Sequence, residues 1–390
     1  MRVVVHDYVG HPFQAQLARA LAVRGHDVLH VHCPAFVTGK GRVAPAPGDP
    51  PGLEFASVGA GEEFAKYDVR RRVGQELAAG KELAGRIAAF RPDAVLSANT
   101  PLFVQRSLLR ATHAAGGRFV FWQQDVISVA ARRAAGAAAG FAAGLLERRL
   151  LRQSDAVVAI SEDFLPLLRR WGVDERRIAV IENWAPLEEL PQLPRDNAWA
   201  AEHGLADSAV FLYSGTLGLK HDPSLLLELA RWAGRRDALV VVVSEGPGAD
   251  WLAARTADVP ALRLLPYQPY DRLPEVLASA DVLLTLLEPT AAGFSVPSKV
   301  LTYLCAGRPQ LASVGRENLA ARVVERSGGG VVVPAADPAA LVAAAEELLG
   351  DPGRRDELGR RARAYAETAF DLDAVAARFE DVLRGVAPAA

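Results

Sequence analysis

Short apolar runs alternate with amphipathic stretches in the first half of the chain. The run at 2–6 leads through a glycine-containing loop into an amphipathic stretch, and a second apolar run follows at 27–32. Phe13, Leu17 and Leu21 share one face of that stretch, a spacing that predicts a helix, while the apolar runs predict buried strands. A strand, a helix and a second strand in this order are typical of a βαβ unit with parallel strands.

The same alternation continues to residue 185 and restarts in the second half of the chain. Further helices are predicted at 62–90, after Pro101, at 224–235, at 353–369 and at 372–385. Further strands are predicted at 93–99, 118–122, 155–160, 177–183, 209–215, 238–244, 281–287, 309–314 and 329–334. This alternation predicts an α/β fold built on parallel sheets.

The stretch between the two halves, PLEELPQLPRDN, contains three prolines and has no periodicity, as is typical of a linker. We therefore expect an N-terminal domain at 1–185, a linker at 186–205, a C-terminal domain at 206–370 and a final helical segment at 371–390. Two Rossmann-like domains would face each other across a cleft. Ligands of open α/β sheets bind at the carboxyl ends of the strands.

Composition excludes several classes of protein. The 390 residues include 44 basic and 46 acidic side chains, so no bulk field favours nucleic acid as a partner. The two cysteines, Cys33 and Cys305, are too few for a disulfide framework or a cysteine-rich metal site. With no signal peptide and no apolar stretch of membrane-spanning length, a cytoplasmic protein is expected.

Two segments of the second half could bind a diphosphate. In YSGTLGLK, Gly215 and Gly218 would let the backbone approach a ligand, and Lys220 would supply a positive charge. In GFSVPSKVLTYLCAGRP, a helix start would direct the amides of Ser298 and Lys299 outward, an arrangement that binds anions. A plain glycine turn and an ordinary helix start are the alternatives for these two segments.

A third segment, FWQQDVIS, places Asp125 after a strand of the first domain, where it would act in catalysis or cap the next helix. SEGPG, at 244–248, is a further turn between a strand and a helix, without a catalytic group of its own. The histidines show no spacing typical of a metal site, so solvated or packed histidines are expected.

In order and spacing these motifs resemble the GT-B glycosyltransferases of family 4, and most closely their polysaccharide-biosynthesis branch, which includes the colanic-acid transferases. The resemblance runs nearly end to end, from RGHDV and the Gln124–Asp125 pair through VIENW, YSGTLGLK, SEGPG and YQPYDRLPEVLASADVLL to VPSKVLTYLCAGRP. It implies an acceptor-binding first domain, a donor-binding second domain and a last helix that crosses back to the first. It also implies a nucleotide-diphosphate sugar as co-substrate, UDP-, dTDP- or GDP-linked, with no cofactor and no metal.

The resemblance assigns roles to individual residues. Lys220 and Lys299 would hold the donor diphosphate and stabilise its departure, and Asp125 would be the base or orienting residue for the acceptor. The donor site would consist of Gly10, Gly215, Thr216, Lys220, Glu245, Tyr267, Phe294, Val296, Ser298, Lys299 and Thr302. The acceptor site would include His11, Asn99 and Gln124.

The sequence departs from the family pattern at the donor site. Thr216 stands where an arginine is usual, which makes Lys299 the candidate second cation. Thr302 replaces the second of two paired glutamates, and the first falls near Ala292, with Glu288 the nearest acid. A carboxylate grips ribose hydroxyls strongly and a threonine cannot. A deoxyribose donor such as a dTDP-sugar would miss that carboxylate least.

A departure in the first domain concerns the catalytic residues. Trp122 occupies the place of a histidine that many relatives carry, which leaves Asp125 as the base or orienting residue. A retaining mechanism would not need a strong base, because the leaving diphosphate can take the proton.

The acceptor stays open between a lipid-linked glycan, another glycan and a small metabolite. Segment 132–153 has five arginines around an Ala/Gly-rich centre, so it is either an ordinary surface helix or a peripheral contact with the inner face of the membrane. Two rival functions share the fold: a nucleotide-sugar epimerase and a non-catalytic nucleotide-sugar-binding partner.

Overall fold

The computed structural model describes residues 1–34, 42–59, 69–98, 100–218, 220–291 and 296–385. The chain divides into two compact units, one formed by Met1–Glu182 with Asp371–Ala390 and the other by Asn183–Phe370. Each unit contains a sheet in which every described strand pairing is parallel. The α/β class with two Rossmann-like units is confirmed.

The first sheet has seven strands in the order β3-β2-β1-β4-β5-β6-β7. Its strands are β1 Arg2–Asp7, β2 Asp27–His32, β3 Leu53–Ser57, β4 Ala94–Ala98, β5 Arg118–Gln123, β6 Ala156–Ala159 and β7 Ile178–Val180. Its helices are α1 Pro12–Val23, α2 Val69–Phe90, α3 Leu102–Ala114, α4 Ile127–Gln153 and α5 Leu165–Arg170, joined by the last helix of the chain.

The second sheet has six strands in the order β10-β9-β8-β11-β12-β13. Its strands are β8 Ala209–Ser214, β9 Ala238–Val243, β10 Leu262–Leu265, β11 Val282–Leu286, β12 Gln310–Ser313 and β13 Gly330–Val333. Its helices are α6 Ala198–Glu202, α7 Ser224–Ala233, α8 Pro247–Ala253, α9 Leu273–Ala278, α10 Lys299–Ala306, α11 Leu319–Ser327, α12 Pro338–Gly350 and α13 Pro352–Ala369.

Continuous apolar strands form both cores. Strand β9 reads ALVVVV, and all six of its residues are buried, as is expected for a parallel strand covered on both faces. Of the four edge strands, β3 and β10 are only partly buried and were not predicted from the sequence. The edge strands β7 and β13 were predicted from their apolar runs.

The last helix, α14 (Leu372–Arg384), packs in the first unit. Its Glu380 carboxylate accepts hydrogen bonds from Arg24 Nε at 2.7 Å and from His26 Nε2 at 3.0 Å. Trp122 on β5 is buried between the rings of Phe13 on α1 and Phe379 on α14. Trp122 therefore fills part of the core of this unit.

The stretch predicted as a linker, 186–205, falls inside the second unit. Arg195 Nε donates to Asp281 at 3.1 Å, and its other nitrogens donate to the carbonyls of Leu205, Ala206 and Ser208. Asn197 begins α6 and accepts from the Ala200 amide at 3.0 Å. Prolines removed the periodicity on which the prediction relied, while the partly buried guanidinium of Arg195 fixes the segment.

Candidate active site

Two glycine-rich loops interlock at the carboxyl edge of the second sheet. The Gly215 amide, directly after β8, donates to the Val243 carbonyl at 3.0 Å. The Leu217 amide donates to the Ser244 hydroxyl at 3.0 Å, and the Gly248 amide donates to the Leu217 carbonyl at 2.9 Å. The loops after β8 and β9 therefore form one framework that holds the side chains it carries.

Lys299 reaches this edge from the first turn of α10. Its Nζ lies 3.4 Å from the centroid of the Tyr213 ring. Gly215, at a φ of 125°, leaves it room, since a Cβ there would lie 3.3 Å from Nζ. The Ser214 amide donates to the Tyr303 hydroxyl at 2.9 Å, and that hydroxyl donates back to the Ser214 carbonyl at 3.0 Å. Helix α10 is thus fixed to β8 close to Lys299.

Burial governs the protonation of Lys299. Its Nζ is buried and has no hydrogen-bond partner among the described residues. Burial holds the pKa of the Lys299 ammonium well below its usual range. An ammonium gains about 2 kcal/mol over a desolvated aromatic ring, but leaving water costs it several kcal/mol. The Tyr213 ring offsets only part of that cost, so an anion at this edge would find unused donors.

Lys220 and His221 lie in the same loop after β8. Burial lowers the pKa of His221 to about 3, so its imidazole is neutral near pH 7. The half-buried Lys220 accepts through its carbonyl from the Glu288 amide at 2.9 Å. This bond joins the loops after β8 and β11, the neighbouring strands at which the strand order reverses and where α/β sheets bind ligands.

Thr216, Tyr267 and Glu245 complete this edge from three loops. The hydroxyls of Thr216 and Tyr267 are hydrogen-bonded to each other. Burial raises the pKa of the Tyr267 hydroxyl, and the charge of Glu245 adds to the increase. Of the remaining residues predicted for the donor, Val296 and Ser298 precede α10, Thr302 lies on it, and Phe294 lies outside the described residues.

A buried carboxylate organises the carboxyl edge of the first sheet. Asp7 accepts from the Val9 amide at 3.1 Å, from the His11 amide and from His11 Nδ1 at 3.2 Å. Burial alone would raise the pKa of Asp7, but the charge and hydrogen bonds of His11 outweigh it and hold the pKa below its usual range. Gly10, at a φ of 87°, allows the chain to turn around this carboxylate.

His11 and Asp125, both predicted site residues, interact at this edge. Burial lowers the pKa of His11, but the Asp7 carboxylate, with Asp125 adding to it, raises that pKa above its usual value. The His11 side chain remains 33% exposed, so a ligand can reach it. Gln124 and Asp125 are half-buried, and Asn99 lies outside the described residues.

Glu147 caps the helix that follows Asp125. Its buried carboxylate accepts from the Ile127 amide at 2.8 Å and from the Ser128 amide at 2.9 Å. Burial raises the pKa of Glu147, and the nearby charge of Asp125 raises it further. Capping of this helix was the alternative role for Asp125; Glu147 accepts from two of the helix's first amides, and the catalytic role of Asp125 stays a prediction.

The element α4 consists of two helical arms that form a hairpin. Gly136 interrupts it with a φ of 87° and a ψ of 178°. A Cβ at Gly140 would lie 2.4 Å from the Cβ of Arg132, and one at Gly144 would lie 3.6 Å from that of Ser128, so the chain doubles back. The outer face carries Phe141, 71% exposed, and Leu145, 56% exposed.

Several residues of these edges were not predicted from the sequence: Asp7, Glu147, Tyr213, His221, Ser244 and Tyr303. Asp7 ends a strand, and its position at the carboxyl edge was a usable signal. Glu147 accepts from the Ser128 amide, 19 positions earlier in the chain, and Tyr303 accepts from the Ser214 amide, 89 positions earlier. No local spacing in the sequence indicates contacts between residues so far apart. Within the described ranges, no three His, Cys, Asp or Glu side chains cluster as metal ligands, and no helix is long and apolar enough to cross a membrane.

Two family models match the chain. Residues 11–184 match the glycosyl transferase 4-like domain, and residues 208–351 match the glycosyl transferases group 1. Together these ranges cover most of the chain and contain the loops of the second sheet edge, whereas Asp7 and Gly10 of the first edge precede the matched residues.

Individual relatives agree with these matches. WbjE of Pseudomonas aeruginosa, named a probable glycosyltransferase, is 26% identical over 276 residues, 67% of each chain. WcaI of Escherichia coli K12, named for glycosyl transfer in colanic acid biosynthesis, is 24% identical over 309 residues, 76% of this chain and 75% of that one. HepE of Anabaena, solved with UDP and glucose, superposes with a TM-score of 0.70 at 14% identity, covering 98% of this chain and 99% of that one.

Proposed function

The chain belongs to the family 4-like glycosyltransferases of the GT-B fold, of the polysaccharide-biosynthesis type. From this premise we propose that it transfers a sugar from a nucleotide-diphosphate donor to an acceptor hydroxyl, with retention at the anomeric carbon and without a metal ion. The main support is the buried Nζ of Lys299, which has no hydrogen-bond partner among the described residues. It lies where the strand order of the second sheet reverses, next to β8.

The second sheet edge has the chemistry that a departing diphosphate requires. Lys220 and Lys299 supply positive charge, and the Ser298 and Lys299 amides at the start of α10 supply donors. Gly215 lets the backbone approach closely. In the transfer step the acceptor oxygen bonds to the anomeric carbon, the bond from that carbon to the diphosphate oxygen breaks, and the hydroxyl proton passes to the diphosphate. Catalysis rests on positioning and on stabilising the leaving charge.

The donor nucleotide is UDP, dTDP or GDP. A UDP complex of HepE supports a pyrimidine nucleotide at this edge. Thr302 supports a deoxyribose, because α10 offers no carboxylate to bind a 2′-hydroxyl. We propose that Tyr267 and Thr216 lie beside the base.

The first sheet edge binds the acceptor. We propose that Asp125 orients the acceptor hydroxyl and that His11, held by Asp7, together with Gln124 binds the neighbouring hydroxyls. The acceptor is a glycan, lipid-linked or free, or a small metabolite.

The α4 hairpin supports a lipid-linked acceptor. Phe141 and Leu145 lie one turn apart on an exposed face, and Arg148, Arg149 and Arg152 follow. Exposed apolar side chains beside arginines favour an anionic bilayer surface. Sedimentation with anionic vesicles should therefore exceed sedimentation with neutral ones, and Phe141→Ser with Leu145→Ser should remove the difference. Equal sedimentation of the unaltered protein with both vesicles would contradict membrane contact.

The alternative function is a non-catalytic partner that binds a nucleotide sugar, and Thr216 and Thr302 favour it. A measurement of turnover distinguishes this alternative from sugar transfer. The protein is incubated with UDP-, dTDP- and GDP-sugars and a bacterial glycolipid extract, with and without a chelator. Release of nucleoside diphosphate with a product of retained anomeric configuration, unaffected by the chelator, is expected. Binding of a nucleotide sugar without any release or transfer would support the binding partner instead, and an inverted product would contradict retention.

A further inference from the structure

The buried amine of Lys299 has no counter-ion in the part of the chain that the structure describes. Its Nζ rests on the face of Tyr213 at 3.4 Å from the ring centroid, and no carboxylate of the described residues pairs with it. The ring attracts an ammonium, but less strongly than water does. In the empty site, the geometry therefore favours the uncharged amine.

The titratable groups around Lys299 do not change this balance. Tyr213 on β8 and Tyr303 on α10 are buried, and burial raises the pKa of each hydroxyl, so both stay neutral. His221 is neutral as well, since burial lowers its pKa to about 3. The same sheet edge also carries Lys220, Glu245, Tyr267 and Glu288 on the loops after β8, β9, β10 and β11. Burial alone accounts for the lowered pKa of Lys299.

We propose that Lys299 is a neutral amine in the empty site and takes up a proton from solvent when a nucleoside diphosphate binds. The inference rests on the proposed function, because it takes the diphosphate to be the counter-ion that the site lacks. A diphosphate beside Nζ would replace the missing water with anionic oxygens, which favour the ammonium. Binding of the donor and product would then be coupled to the uptake of one proton.

The sign of the pH dependence follows from this coupling. The diphosphate raises the pKa of Lys299, so the bound state holds one more proton than the empty state between the two pKa values. Affinity for the nucleotide therefore falls as pH rises through that window, by about tenfold for each pH unit. Below the window both states are protonated, and affinity becomes independent of this group.

Calorimetry in buffers of different ionisation enthalpy counts the protons directly. The nucleoside diphosphates UDP, dTDP and GDP are titrated into the full chain in HEPES and in Tris, at several pH values from about 7 to about 9. In this range histidines and phosphates with ordinary pKa values are largely deprotonated, so they contribute little to proton uptake. The slope of the observed enthalpy against the buffer's ionisation enthalpy gives the number of protons taken up. A slope approaching one proton per nucleotide is expected within this range.

Two variants assign the proton to Lys299. Lys299→Arg should bind the nucleotide with no proton uptake, because its guanidinium is charged in both states. Lys299→Met should bind more weakly and also without uptake. Both variants keep His221, so uptake that survives in them would belong to another group and overturn the proposal.

The outcomes separate this inference from the proposed function. Nucleotide binding by the unaltered chain with no proton uptake at any of these pH values would overturn the inference and leave the donor site standing. Failure of all three nucleotides to bind would overturn the donor site itself, and the inference with it.

Discussion

The two sheet edges differ in charge although their backbones are alike. Both sheets are parallel, and in both the strand order reverses at the first strand of the unit, β1 or β8. The first edge is organised by the carboxylate of Asp7, which binds His11 and two amides. At the second edge the buried ionisable side chain is Lys299, whose Nζ lies over the ring of Tyr213.

On the proposed function, this difference would allow one fold to bind two unlike substrates. A carboxylate with an imidazole binds and orients hydroxyls, whereas lysines and helix-start amides bind phosphate oxygens. The backbone supplies the place at which a ligand binds, and a few side chains at the strand ends decide its chemistry.

The largest effect is expected from removing the carboxylate at the first edge. Asp7→Ala leaves the amides of Val9 and His11 without their acceptor, which should lower the free energy of unfolding by about 3 kcal/mol. Asp222→Ala is the matched control in the loop after β8, where the half-buried Asp222 accepts from Ser224 at 2.9 Å. Its cost should be about 1 kcal/mol. Calorimetric unfolding measures both, and equal costs would mean that the edges are built alike.

The next largest effect is expected on the rate of sugar transfer, and it tests whether the first edge contributes to catalysis but not to nucleotide binding. Asp125→Asn should slow sugar transfer by about 100-fold, because it removes the proposed orienting carboxylate, and should leave nucleotide affinity unchanged. Asp163→Asn is the control, since Asp163 follows the neighbouring strand β6 and accepts from Ser161 at 2.7 Å. Full transfer activity in Asp125→Asn would remove Asp125 from the site.

The smallest effect tests the α4 hairpin, which has no counterpart at the second edge among the described residues. Gly136→Ala should destabilise the protein by about 1–2 kcal/mol, because the φ of 87° and ψ of 178° suit only glycine. Gly85→Ala, in the exposed face of α2 where a Cβ meets no atom within 4 Å, should stabilise it by up to about 1 kcal/mol. The same sign of change in both variants, read from unfolding midpoints, would contradict the hairpin geometry.

The fold was predictable because buried parallel strands carry a strong signal. Strands such as β9 are apolar throughout, whereas β3 (LEFAS) and β10 (LRLL) each have a charged residue within the apolar run and were not predicted. Lys220 and Lys299 were predicted as candidates from glycine and proline motifs next to strand ends.

The state of those candidates could not be predicted. The neutral amine proposed for Lys299 depends on burial against Tyr213, 86 positions earlier, and the first amides of α4 donate to Glu147, 19 and 20 positions later. Such contacts arise only when distant segments pack together, so neither spacing nor composition reveals them. The hairpin turn at Gly136 was likewise not located, since segment 132–153 was predicted only as a surface helix with a loop or as a membrane contact.

The central claim is that the second sheet edge binds a nucleoside diphosphate through lysine. Calorimetric titration of UDP, GDP and dTDP into the unaltered protein and into Lys220→Ala tests it most directly. We expect selective binding of one nucleotide. In Lys220→Ala we expect a loss of about 1.5–3 kcal/mol of binding free energy, the range of a charge-assisted hydrogen bond. No binding of any of the three, or an unchanged affinity in Lys220→Ala, would contradict it.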